Sequence, residues 1–339
     1  MKTFFTPLLI AVLFINFTAN AQQRAALHSS GNTTIYSGTN PFVDAYNAAI
    51  TGDTIYLSGG GYVSPATLDK GLTIFGAGFH PDSTTATYPT SFTTTAIYLG
   101  GNADNLHIEG LEFININKAR DTQTNNLTIK RCKVTSFSFS YNGSSTVTSV
   151  GFELLESIVT GSISLDGMSN SIVSNNIIQG NLNSSSNNII QNNLFLAQSY
   201  SSYCMNNTYA NNIFSNTNGT VLYNSTGNIL EKNIIAHPTP NFGTGAIDNG
   251  NFKGIDLTTV YVNQSGYVFD YTYDYHLQAA AASTYLGNDN TEVGIYGGLF
   301  PYKEGAVPLN PHISLKNIAP QTDVNGDLNI QINVGAQDH

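Results

Sequence analysis

Val173-Ser-Asn-Asn-Ile-Ile178, Ile190-Gln-Asn-Asn-Leu-Phe195, Tyr209-Ala-Asn-Asn-Ile-Phe214 and Leu230-Glu-Lys-Asn-Ile-Ile235 carry one pattern four times, beginning 17, 19 and 21 residues apart. Upstream, Ile108-Glu-Gly-Leu-Glu-Phe113, Ile129-Lys-Arg-Cys-Lys-Val134 and Leu154-Leu-Glu-Ser-Ile-Val159 fit the same frame, and the sixth position is apolar in all seven. A period near 20 with short strands, Asn-rich turns and no helical periodicity indicates a β-solenoid. One coil is too thin to bury its own apolar face; stacked coils bury a continuous core.

The columns of this alignment carry further expectations. The fourth reads Leu111, Cys132, Ser157, Asn176, Asn193, Asn212, Asn233, and a column two before each start reads Leu106, Leu127, Phe152, Ser171, Asn188, Asn207, Asn228. Both turn to Asn near residue 170. Asn176, Asn193, Asn212 and Asn233, with Asn188, Asn207 and Asn228, are expected to form ladders in which each amide bonds the next and satisfies buried polar groups without charge. Asn also tolerates the left-handed bend expected at such a position. The fifth column reads Glu112, Lys133, Ile158, Ile177, Leu194, Ile213, Ile234. Adjacent strand positions face opposite ways. If the sixth column points in, the fifth leaves an apolar stripe outside, which residues 236–300 are expected to cover. The alternative is a bend that puts both columns inside.

Composition fits stacking. The chain has 339 residues, 22 acidic and 12 basic, a net charge of −10, and 10% charged residues, against about 25% in an ordinary domain. It contains 41 Asn. Like charges stacked at the strand spacing would repel. Abundant apolar residues exclude a disordered chain, and the acidic balance argues against nucleic acid as a partner. Met1 to Ala21 reads as a signal peptide: Lys2, an apolar stretch from Phe4 to Phe17, then Ala19-Asn-Ala21. No later run is long enough to span a membrane. The expected layout is a signal at 1–21, a capped solenoid over 22–300, and a linker with a C-terminal β-hairpin unit over 301–339. Clear coils run about 52–235 and a closing segment follows over 236–300. The hairpin is signalled by alternation around Asn325-Gly326 and is expected to cap or sit beside the solenoid.

These features resemble the right-handed parallel β-helix of the pectin lyase-like superfamily, of the secreted bacterial type. Asn40-Pro41 before Phe42, Val43, Tyr46 and Ile50 looks like its capping helix, followed by Gly52-Asp-Thr-Ile-Tyr-Leu57 and Gly71-Leu-Thr-Ile-Phe-Gly-Ala-Gly78 as first coils. Asp274-Tyr-His-Leu277 with Gly294-Ile-Tyr-Gly-Gly298 is similar to closing segments of such proteins. The right hand comes from this resemblance and from the general crossover preference. The resemblance covers about Pro41 to Ile235, and the fold hosts lyases, hydrolases, adhesins and structural proteins alike.

Chemistry is sparse. The hydrolase pattern of Asn-Thr-Asp, Asp-Asp, Gly-His-Gly and Arg-Ile-Lys is absent, as is a clustered-Asp calcium pattern, so no catalytic residue and no metal site is assigned; Ca²⁺ would enter only with a lyase. In the basic cluster, Glu109 is expected to stack on Lys130, Glu112 on Lys133 and Arg131 on Glu156 as exposed pairs. Lys118 and Arg120 are left over as candidates for binding an acidic polysaccharide. Tyr200, Tyr203 and Tyr223 are candidates for stacking on sugars, with packing as the alternative. Cys132 and Cys204 fall three or more coils apart, too far for a disulfide, and Cys132 reads as a core filler. The expected function is an exported, secreted or cell-envelope β-helix protein that binds extracellular polysaccharide or another surface component without catalysis. The alternatives are an atypical polysaccharide lyase or glycoside hydrolase, and an adhesive or structural surface protein.

Overall fold

A computed structural model describes residues 23–305 and 307–336. The signal segment at 1–21 lies outside the described residues. The chain forms a parallel β-solenoid of about 10 turns. Its two long sheets carry one strand from each coil. The sequence alignment is the structural register: Ile129 pairs with Ile108 and Leu154, Val173 with Leu154 and Ile190, and Tyr209 with Ile190 and Leu230. One further coil follows Ile235, with Ile247–Asn249 and Phe252–Lys253 paired to the coil before. Its sequence carries the pattern too weakly to read, because Asp248 and Lys253 stand where apolar residues stood.

The sixth column, from Phe113 to Ile235, lies in the inner core together with the inner strand centres Ile108, Ile129, Leu154 and Ile190. The fifth column lies in a separate cluster outside the coils. Ile158, Ile177, Leu194, Ile213 and Ile234 pack there against Val260, Tyr261, Tyr275, Leu277, Val293 and Ile295 of the closing segment. The strand pleat decides this, since neighbouring side chains cannot share a face. The bend alternative therefore falls.

The asparagine ladders are present. In the fourth column the backbone N–H and Nδ2 of Asn176 both donate to Asn193 Oδ1, at 3.0 and 2.9 Å. Asn193 does the same to Asn212, and Asn212 to Asn233. Asn233 continues onto Asn251, a rung beyond the sequence reading. Each Nδ2 also reaches a carbonyl of the coil before, as Asn212 does to Ile190 at 2.8 Å. The second ladder runs from Ser171 through Asn188 and Asn207 to Asn228. One expectation is corrected. The left-handed residue is the one before each ladder Asn: Asn175, Asn192, Asn211 and Lys232 in one column, and Asn170, Asn187, Asn206 and Gly227 in the other. The first residue of each Asn-Asn pair turns the chain, and the second points inward to bond.

At the head, Arg24–Ser29 and Asn32–Ser37 form a hairpin whose first strand pairs antiparallel with Thr54–Leu57. This occupies the sheet edge of the first coil, which would otherwise invite another chain. The capping helix spans Pro41–Ala48, with Phe42, Ala45 and Tyr46 buried. The side chain of Asn40 makes no capping bond, and Ile50, expected on the apolar face, is 62% exposed beyond the helix end. At the tail, His312–Ile318 and Ile330–Gly335 pair antiparallel as expected, but both strands are exposed along nearly their whole length. Neither strand is buried against another part of the chain. Cys132 and Cys204 are free and buried. Burial pushes the Cys132 thiol up to about 12, so it is an inert core residue. Among the described residues no helix is long and apolar enough to cross a membrane.

Candidate functional site

The residues singled out in the sequence do not converge. Lys118 is fully buried, and its Nζ donates to the carbonyl of Thr122 at 2.9 Å. Burial lowers its pKa, against the opposing pull of Asp166 and Asp121. This corrects its place in a surface patch: it serves the interior. Arg120 is exposed. Tyr200 and Tyr223 do meet, with ring centroids 4.8 Å apart, and both are about half exposed. Tyr203 lies beside them at a corner, with φ +57° and its N–H on the carbonyl of Tyr223. Four to five strand pairings separate this trio from Lys118, roughly 20 Å along the solenoid.

The ion pairs also differ from expectation. Glu112 and Lys133 pair at 3.1 Å as the stacking predicts. Glu109 and Lys130 are register partners, yet Glu109 turns to His107 Nε2 at 3.0 Å and Arg131 at 3.5 Å, while Lys130 joins Arg131 on Glu156. Arg131, Glu109 and Glu156 are buried, because residues 307–309 lie over them. Glu109 accepts the N–H of Leu309 at 2.8 Å, and Arg131 donates to the carbonyl of Val307. Burial raises the Glu109 carboxyl, but His107, the Leu309 N–H and Arg131 together outweigh it and hold the pKa below the usual value.

A lateral groove of about 550 Å³ opens beside this cluster, along the outer face of the sheet whose successive strands carry Lys130, Leu155, Ser174 and Gln191. Its floor is supplied by successive coils: Lys130, Glu153, Ser174, Gln191 and Asn192. The rim is the loop carrying Leu299 and Phe300, which are 90% and 64% exposed. The left-handed asparagines hold that loop down. Asn175 Nδ2 donates to the carbonyls of Ile295 and Gly297, both at 2.9 Å. Asn211 exchanges two bonds of 3.0 Å with Asn288. Between them Asn192 approaches Gly298, where a Cβ would lie 2.5 Å from its Nδ2. Asn192 Oδ1 is buried with no hydrogen-bond partner, which leaves an acceptor unsatisfied at the groove floor.

The groove carboxylates are Glu153, Glu156 and Asp289, and Asp289 Oδ1 accepts from the N–H and Oγ1 of Thr291 at 3.0 and 2.8 Å. Glu156 has both oxygens in ion pairs with Lys130 and Arg131, and Glu153 accepts from Thr128 Oγ1 at 3.3 Å. The sequence reading missed Gln191, Asn192 and Phe300. The signal available was the second and third columns of the repeat, where charge gives way to Ser174, Gln191, Asn175 and Asn192. Nothing in the repeat could point to Phe300, which reaches the groove from a loop more than a hundred residues later. No family model matches the sequence, and neither a curated protein nor a solved structure matches the chain.

Proposed function

We propose that this protein is an exported β-helix protein of the pectin lyase-like kind that holds an extracellular polysaccharide in the lateral groove without cleaving it. The single observation behind this reading is the groove itself. Successive coils line it with Ser174, Gln191 and Asn192 beside the charged Lys130 and Glu153, and Phe300 gives it an aromatic rim. From Lys130 to Asn211 it crosses four coil steps, roughly 19 Å, a track suited to an extended chain. Sites of this kind set orientation with a few polar groups and gain affinity from apolar and aromatic walls. Lys130, the one cation among its lining residues, is paired with Glu156, and Glu153 and Asp289 add negative charge, which favours a neutral glycan over a polyuronate. The paired state of Glu156 and the hydrogen-bonded state of Glu153 support binding over hydrolysis, since a general base must be free to take a proton.

The test is retention of the chain lacking residues 1–21 on a panel of neutral and uronate polysaccharides, with and without Ca²⁺. Unsaturated products and new reducing ends are followed in the same samples. Retention on a neutral glycan without products is expected, weakened by Phe300→Ala and by Gln191→Ala. Retention that neither substitution changes would remove the groove from the reading. Products of cleavage would replace it with a lyase or hydrolase.

A further inference from the structure

A second cleft, of about 380 Å³, shares no residue with the groove. Its walls are unusually uniform. Tyr271, Tyr273, Tyr275, Tyr296 and Tyr302 all line it, and Asp270 and Glu304 are the carboxylates among its lining residues. The one other titratable group in the lining is His80, edge-on to Tyr271 with ring centroids 4.8 Å apart. No Lys or Arg lines the cleft.

Electrostatics follow from these identities. Burial raises the phenols of Tyr271, Tyr296 and Tyr302, and pushes Tyr275 up to about 12. The rings are therefore neutral, and the face of a neutral ring is the negative side of its quadrupole. Burial lowers His80, although Asp82 and Glu304 pull the other way, so the imidazole is uncharged at neutral pH. Tyr296 is fixed by its hydroxyl on Glu304 at 3.1 Å and by His276 stacked 3.8 Å from its ring centroid. One ring already attracts an ammonium: Lys133 Nζ lies 5.3 Å from the Tyr271 centroid. That charge is matched by Glu112 at 3.1 Å, so it does not offset Asp270 and Glu304.

We infer that the tyrosine cleft binds an ammonium-bearing ligand, a quaternary alkylammonium or a protonated amino sugar, on its ring faces and beside the carboxylates of Asp270 and Glu304. Stacked tyrosines alone would accept any flat apolar molecule. Tyr271, Tyr273 and Tyr296 reach the surface, and rings beside two carboxylates with no Lys or Arg in the lining select positive charge. The inference is independent of the polysaccharide reading, since the two sites share no residue.

Calorimetric titration at neutral pH tests it with four probes: choline, its uncharged isostere 3,3-dimethylbutan-1-ol, glucosamine and glucose. Choline is expected to bind about tenfold more tightly than the isostere, the range of a desolvated cation–π contact. Glucosamine bound over glucose, without choline, identifies the source as an amino sugar; choline bound identifies an alkylammonium group. The double substitution Asp270→Asn with Glu304→Gln, with the thermal transition monitored as a control for folding, is expected to erase the preference for the charged member of each pair. Equal binding of charged and uncharged members by the unmodified protein would overturn the inference, as would no binding of either cation. A preference that survives the double substitution would remove the two carboxylates from it.

Discussion

Arg131 Nε lies 2.7 Å from Glu156 Oε2, and both residues hold a left-handed backbone, at φ +49° and +48°. The corner is Gly110 in the coil before and Asn175, Asn192 and Asn211 in the three after, with a long side chain returning only at Lys232. Left-handed geometry costs of order 1 kcal/mol or more for a residue with a long side chain. The corner position aims both side chains at each other under residues 307–309, so the pair is buried rather than solvated. Glu156→Ala leaves Arg131 with one carboxylate, Glu109 at 3.5 Å, and the Val307 carbonyl at 3.4 Å. Breaking a buried pair by removing one partner costs about 3–5 kcal/mol. Urea denaturation is expected to show a loss near the lower end of that range, because Glu109 remains.

Glu109 gives a pH signature. Its folded pKa is depressed, so the unfolded chain takes up the proton first as pH falls. The stabilisation is complete above the ordinary glutamate value, about 4.3. It is lost as pH drops from there through the lower folded value. Glu109→Gln is expected to flatten stability over that acid interval and to lower it at neutral pH. Denaturation midpoints measured across the interval in both proteins check this.

Interior ladder rungs should cost more than the terminal one. Asn212→Ala removes the acceptor of Asn193 and the donor to Ile190, all buried. Each buried group left unsatisfied costs about 1–3 kcal/mol. Asn251 is part-buried at the ladder end, where water can replace the lost bonds. Asn251→Ala is expected to lower the thermal midpoint by less than half as much as Asn212→Ala.

Lys118→Met is expected to leave stability unchanged or raise it. The buried ammonium finds one carbonyl, that of Thr122, and burial disfavours its charged form. An apolar side chain of similar length avoids that cost. Polysaccharide retention should not change, because the side chain does not reach the surface. A drop in retention at unchanged stability would return Lys118 to the binding surface.

Gly294 tests the cover over the outer stripe. It sits at φ +98°, with its N–H on the carbonyl of Asn211 at 2.9 Å, and an added Cβ would meet Ile213 Cδ1 at 2.8 Å. Gly294→Val is expected to loosen the closing segment while the coils persist. Limited proteolysis should then cut within residues 255–300 faster than within the solenoid.

The fold was legible because stacking repeats a local problem in every coil. Ile178, Phe195 and Phe214 must each fill the same slice of core, and Asn193 and Asn212 must each satisfy the same backbone groups, so the solution recurs in the sequence and can be aligned. Even the outer stripe could be read, since Ile177 and Ile213 adjoin inward residues and the pleat sends them out. Sites are not periodic. Phe300 and Gln191 line one groove from segments more than a hundred residues apart, and Glu304 lines the cleft with His80 across more than two hundred.

By itself the sequence determined the coil register, the ladders and the need for a cover. Those follow from side-chain alternation and hydrogen-bond satisfaction over neighbouring residues. Tertiary structure alone decided which charges are buried. By coil position alone Glu109 stacks on Lys130 and Arg131 on Glu156, as exposed pairs. Val307 to Leu309 closes over them from nearly two hundred residues away, and excluding water there turned a surface ladder into a buried network.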